Sequence, residues 1–386
     1  MYTISKNLKR LPPYLFVEID KAKRAARAAG RDVIDLGVGD PDQPTPAYII
    51  EALQQAAQDP ANHRYALDQG MPVLRAAIAQ WYRQRFGVTL DADTEILPLI
   101  GSKEGLAHVP LAFLNASDVS LIPDPCYPPY KGGTILAGGR PYLVPLRPEN
   151  GFLPDVKKIP AGVLKKARLV YINYPNNPTG AVADESFYRA LVAFARRHKL
   201  IVISDLAYSE MAYDGYKPMS ILEVPGARDV ALEFHSLSKT FNMTGWRVGW
   251  ACGNASLVGA LAKVKSNVDS GIFSAIQVAA ATALNRSTDH VGRMCALYQG
   301  RRDCLVAGLQ ALGWQLAAPR ATFYLWIRLP KGTLSIPFAE SVLRKADIVI
   351  TPGVGFGPHG EGYVRMALTV PEPRLQEALR RLKRMA

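Results

Sequence analysis

Through the first two-thirds of the chain, short apolar runs alternate with stretches whose apolar positions recur every three or four residues. EILPLI, DVSLIP, RPYLVPL, ARLVYIN, LIVISD and VALEFHS read as strands. Between them SKEGLAHVPLAFL and DESFYRALVAFARRH read as helices, and CYPPYKGGTILAG as a turn leading into one. Upstream, PTPAYIIEALQQAA carries proline near its start and GMPVLRAAIAQWYRQRFG ends on a glycine stop, so both predict helices. Strands that are apolar throughout and alternate with helices imply a mostly parallel sheet buried on both faces. After Gly253 the pattern changes. Three helical stretches follow, then ATFYLWIRL with strand alternation, the helix IPFAESVLRKA, strands DIVITP and EGYVRMALT, and a last helix. That order predicts a smaller α+β unit. The segment near 14–29 predicts a helix, followed by a short strand in DVIDLGVGD, and both are expected to pack onto that unit. The fold class is therefore α/β: a large domain, 45–285, with a mostly parallel sheet flanked by helices, plus a smaller α+β domain built from 1–44 and 286–386.

Open α/β sheets bind ligands at the carboxyl ends of their strands. Five predicted strands run there into polar or glycine-rich signatures: GSKEGL, DPCYPPY, YPNNPTG, DLAY and SLSK. GSKEGL sets Ser102 and Lys103 between a strand and a helix, where backbone N–H groups favour a phosphate, although an ordinary helix cap explains the serine equally. Asp205 and Tyr208 follow an apolar strand. A carboxylate there is costly unless paired, so it holds a cationic ring nitrogen or makes a salt bridge or cap. Asn177 precedes proline in a sequence that also favours a plain turn. Lys239 stands at the end of a strand among hydroxyl residues, eight positions before Arg247. A lysine so placed is a Schiff-base nucleophile if a phosphate anchor, a counter-charge and hydrogen bonds to a ring oxygen lie nearby. Those residue types occur at successive strand ends.

Composition narrows the alternatives. The 386 residues carry a formal net charge of +13, part of it in KAKRAARAAGR (21–31) and RLQEALRRLKRMA (374–386). Both have helical spacing and read as solvated faces. No nucleic-acid motif accompanies them, so specific nucleic-acid binding is not expected. The four cysteines form no CxxC pair and no secretory signal pattern is present, which makes the cytoplasm the expected compartment. No apolar run reaches membrane-spanning length, and no histidine or cysteine cluster suggests a metal. SLSK also matches the SxxK of penicillin-binding enzymes, but the companion SDN and KTG motifs are missing.

From GVGDPDQPTP through RYALDQGMPVLRAAIAQWY, GSKEGL, DPCYPPY, YPNNPTG, SDLAYSEM and SLSKTFNMTGWRVGW to FGPHGEGYVRMALT, the chain resembles the fold-type I, class I/II aminotransferases. That resemblance implies pyridoxal 5′-phosphate as cofactor, Lys239 as its covalent anchor and proton carrier, and Asp205 paired with the pyridinium nitrogen. It further implies Asn177 and Tyr208 on the ring oxygen, Tyr127 stacked on the ring, and Ser102, Lys103, Ser236, Ser238 and Arg247 around the phosphate. Arg365 and the Gly39 N–H would hold the substrate carboxylate. Tyr65 would reach the phosphate from the neighbouring subunit of a homodimer. The segments NLKRLPPYLFVEIDKAK, DLGVGDPDQPTP and KSNVDSGIFSAIQ resemble the LL-diaminopimelate aminotransferases. They imply LL-diaminopimelate and 2-oxoglutarate as partner substrates in lysine biosynthesis, with Tyr14, and Asn267 of the other subunit, near the substrate. Glu18 is either a distal acceptor or a surface residue. Aspartate, alanine, aromatic amino acids and N-succinyl-diaminopimelate are the alternative substrates. A same-fold β-lyase and a regulator are the remaining readings, the latter without room for a DNA-binding module.

Overall fold

In the computed structural model, residues 2–12, 15–66, 69–286 and 288–385 are described. In chain order the strands are β1 (Ile34–Asp35), β2 (Ile96–Ile100), β3 (Val119–Asp124), β4 (Arg140–Pro145), β5 (Ala167–Asn173) and β6 (Ile201–Asp205). They continue with β7 (Ala231–Ser236), β8 (Val248–Gly253), β9 (Tyr324–Arg328), β10 (Ile348–Val349), β11 (Thr351–Pro352) and β12 (Tyr363–Ala367).

A seven-stranded sheet has the order β2-β8-β7-β6-β5-β3-β4. Its β3–β4, β3–β5, β5–β6 and β6–β7 pairings are parallel, and β8 runs antiparallel to both β2 and β7. Apolar residues leave it on both faces. Leu169, Tyr171, Ile203, Leu232 and Phe234 pack with Leu106, Val109 and Leu261 on one side. Val170, Ile172, Val202 and Ala231 pack with Ile49, Leu74, Ile78 and Tyr82 on the other. Burial on both faces is why these strands carry continuous apolar runs instead of alternation. The mostly parallel α/β architecture expected from the sequence is found. The strand that the apolar pattern does not single out is β8. Its sequence VGWACG carries two glycines, which weaken a strand pattern, yet it is buried throughout.

The second layer is a three-stranded antiparallel sheet, β11-β12-β9, over a separate core that includes Phe323, Leu325, Ile327, Val364 and Met366. The helices His290–Ala311 and Glu372–Met385 contribute Leu305, Leu309, Leu375 and Ala378 to that core. N-terminal residues join this layer. β1 pairs in parallel with β10, and the helix Leu15–Ala28 is tied down by Lys23 on Asp35 at 3.0 Å. Among the described residues, no helix is long and apolar enough to cross a membrane.

Candidate active site

A cavity of about 240 Å³ opens at the carboxyl ends of the parallel strands, roofed by residues of the second layer. It brings together Gly39, Ser102, Lys103, Tyr127, Asn177, Asp205, Tyr208, Ser236, Ser238, Lys239, Arg247 and Arg365, all named from the sequence.

Each is placed by a local feature. Ser102 and Lys103 begin the helix Ser102–Phe113, whose cap residue Gly101 offers no side-chain acceptor. Gly101 has φ +75°, and a Cβ there would lie 2.4 Å from Nη2 of Arg247. Both the left-handed backbone and the close guanidinium demand glycine. Ser236 ends β7, and its Oγ accepts from the Ser238 N–H at 3.2 Å. That cap starts the single helical turn Leu237–Thr240. Lys239 therefore sits on this turn, three residues beyond the end of β7 where the sequence suggests it, because Ser236 caps a turn before the chain returns as β8. Its Nζ donates to the Gly39 carbonyl at 2.7 Å.

Asp205 ends β6 in register with Asn173 at the end of β5. The Asn173 side chain donates to the Asp205 backbone carbonyl at 2.7 Å, and the Tyr130 hydroxyl donates to Oδ2 at 2.6 Å. Oδ1 is buried and has no hydrogen-bond partner among the described residues. Arg365 reaches across from β12. It donates to Asn177 Oδ1 at 2.8 Å and to the Gly37 carbonyl at 2.6 Å. Its guanidinium lies 4.1 Å from the Tyr324 ring centroid and 4.7 Å from that of Phe356. The Tyr208 and Tyr324 hydroxyls are 3.0 Å apart.

Electrostatics follow from burial. Burial pushes the Asp205 carboxyl up to about 6, against the opposing donation from Tyr130. Burial lowers the Lys239 ammonium to about 8; the Asp40 carboxylate opposes this, and Arg365 and Arg247 add to it. The cavity thus pairs a carboxyl that binds its proton more readily than an ordinary aspartate with an amine that loses its proton more readily than an ordinary lysine.

Other candidates lie elsewhere. Tyr65 is 81% exposed and Asn267 is exposed, donating to the Lys263 carbonyl at 2.8 Å; neither lines the cavity. Glu18 lines a different groove, against Ile336 and Glu340. Tyr14 lies outside the described residues. Sequence reasoning passes over Asn173, Tyr324 and Phe356, which line the cavity, and Tyr130, which holds Asp205. Asn173 carried a signal, since it ends its strand as Asp205 does. The aromatic residues look like ordinary core.

Comparison with known proteins gives one consistent result. The family described as aminotransferase class I and II matches residues 31–382. A relative from Desulforudis audaxviator (strain MP104C), named LL-diaminopimelate aminotransferase, is 55% identical over 98% of this chain and 97% of its own. The substrate-bound BacF structure from Bacillus subtilis superposes with a TM-score of 0.96 at 38% identity, covering 100% of this chain and 98% of that one. A probable N-succinyldiaminopimelate aminotransferase from Thermus thermophilus gives 0.91 at 38% identity, covering 96% and 100%.

Proposed function

The chain belongs to the class I and II aminotransferase family, and from that premise we propose that it exchanges the amino group between LL-diaminopimelate and 2-oxoglutarate with pyridoxal 5′-phosphate. The unpartnered Oδ1 of Asp205 carries the cofactor reading. A buried carboxylate oxygen without a donor, in a cavity that also holds a lysine, fits a protonated ring nitrogen. The open N-terminus of Ser102–Phe113, together with Lys103, Ser236, Ser238 and Arg247, fits the phosphate. When bound, the cofactor supplies an electron-poor ring that accepts the electron pair left by α-proton removal.

The residues divide the work. Lys239 would hold the cofactor through Nζ and would carry the α-proton on the same atom, a task suited to an amine lowered to about 8. Asp205 would keep the ring nitrogen protonated through Oδ1. Arg365 holds Asn177 by its Oδ1, which leaves the amide nitrogen to donate to the ring oxygen beside Tyr208. Tyr127, which lines the cavity, would stand against the ring. Arg365 grips the substrate carboxylate with the planar fork, next to the Gly39 N–H. Tyr65 and Asn267 serve the neighbouring site of a homodimer, which gives an exposed tyrosine a function. The domains are 45–285 for the cofactor and 1–44 with 286–386 as the smaller unit. Four free thiols are in keeping with a cytoplasmic enzyme.

The full-length likeness to the Desulforudis audaxviator relative supports LL-diaminopimelate. The test is the visible spectrum of the cofactor-loaded protein after addition of single amino acids without acceptor. LL-Diaminopimelate is expected to bleach the lysine-bound band, with little change from aspartate, phenylalanine or the meso isomer. A response to N-succinyl-diaminopimelate or aspartate instead would keep the transaminase and replace the substrate.

A further inference from the structure

Asp124 ends β3, is 1% exposed, and has no part in the chemistry above. Its Oδ2 accepts from the His359 backbone N–H at 2.8 Å and is in contact with His359 Nδ1. Its backbone carbonyl accepts from the Leu146 N–H at 2.8 Å, so the acid is anchored in the seven-stranded layer. Gly357 faces the carboxylate with φ +136°, and a Cβ there would fall 1.6 Å from Oδ1. Two residues past Asp124, the Cys126 N–H donates to the Phe356 carbonyl at 2.9 Å.

These contacts join 124–126 of one layer to 356–359 of the other. The second segment is also held within its own layer. Glu361 Oε1 accepts from the Ser335 N–H at 2.6 Å, and Gly353 and Gly360 meet backbone to backbone. Phe356 is thus fixed from both sides. It lines the cavity, and the Arg365 guanidinium lies over its ring. Burial raises the Asp124 carboxyl, while the His359 donors and the nearby Lys131 oppose that rise. An acid in this setting needs the His359 segment as much as the segment needs the acid.

We propose that Asp124 and His359 are positioning residues for substrate recognition: their contact seats Phe356 as the wall against which Arg365 is held. The proposal rests on Arg365 gripping the substrate carboxylate. A loosened wall removes one face of the guanidinium's seat, the others being Tyr324 and the acceptors on Asn177 and Gly37; this weakens binding of every carboxylate substrate, while the residues assigned to the phosphate and the ring nitrogen keep their own contacts.

The test uses the cofactor-loaded enzyme, with KM and kcat measured for both the amino acid and the 2-oxo acid, and with cofactor affinity measured on the stripped protein. The His359 side chain is 40% exposed, so its removal opens no sealed cavity in the core. His359→Ala is expected to raise both KM values about tenfold with kcat within about twofold and cofactor affinity unchanged. His359→Asn, which restores a donor, is expected to recover most of the loss. Unchanged KM in His359→Ala, equal loss in both variants, or loss of cofactor affinity alongside KM would overturn the proposal. Should His359→Ala not accumulate, Asp124→Asn reads the same split. Wild-type protein without transaminase activity would overturn the functional reading itself, which separates the two failures.

Discussion

Two buried carboxylates stand on neighbouring strands and lead opposite lives. Glu233 on β7 is 0% exposed, and both of its oxygens are occupied. Oε1 accepts from Tyr82 at 3.0 Å and Ser220 at 2.5 Å; Oε2 accepts from Ser204 at 3.1 Å and the Ile221 N–H at 3.0 Å. Asp205 on β6 is buried to a similar degree and lines the cavity, but has one oxygen held by Tyr130 and the other buried without a donor among the described residues. A fully satisfied buried acid organises its surroundings, whereas a half-satisfied one awaits a ligand. Burial does not distinguish these two acids; the count of donors does.

The contrast can be broken from either end. The largest expected effect is on the satisfied side. Glu233→Ala leaves the Tyr82, Ser220 and Ser204 hydroxyls and the Ile221 N–H without their acceptor. It should cost about 3–5 kcal/mol, read as a lower urea midpoint. A loss below about 1 kcal/mol would show that water fills the gap. The opposite sign is expected at Asp205. Burial pushes its folded carboxyl up to about 6 from an ordinary value of 3.8, so between about pH 4 and 6 the cofactor-free native state holds a proton that the unfolded chain has released. The associated stability is full below about 4 and is lost as pH rises to about 6. Asp205→Asn should therefore stabilise the cofactor-free protein above pH 6 by up to about 3 kcal/mol, with the gain fading below it. Thermal midpoints across that range check this, and a pH-independent difference would contradict it. The smallest effect is a sharpening. Arg365→Lys keeps the charge but loses the fork, and should raise KM for amino acids about tenfold with a loss of stability of only about 1 kcal/mol from the hydrogen bonds to Asn177 and Gly37.

Much of this site was legible in the sequence. Apolar runs bounded by GSKEGL, YPNNPTG, DLAY and SLSK locate strand ends, and strand ends in a parallel sheet share one edge. Periodicity did less well where the backbone departs from it. β8 lacks the usual markers, and the turn under Lys239 depends on a serine cap that a strand pattern cannot register. Tyr324 alternates correctly for a core strand and is buried, yet its hydroxyl meets that of Tyr208 in the cavity. Phe356 belongs to a glycine-rich loop whose course is set by contacts far away in sequence. On the proposed homodimer, Tyr65 and Asn267 gain meaning only beside a second copy of the chain.

β7 and β8 form an antiparallel pair in which Ser236 lies opposite Gly249, and the twelve residues between them include both Lys239 and Arg247. The reactive amine and the phosphate-side guanidinium thus travel on a single hairpin. Their spacing is inherited from local chain geometry and does not depend on how the two layers meet. For protein engineering this separates two kinds of risk. Loops of the second layer can be exchanged to seek new substrates with the catalytic hairpin left whole. A deletion of one residue between Ser236 and Gly249 would misalign the two groups together.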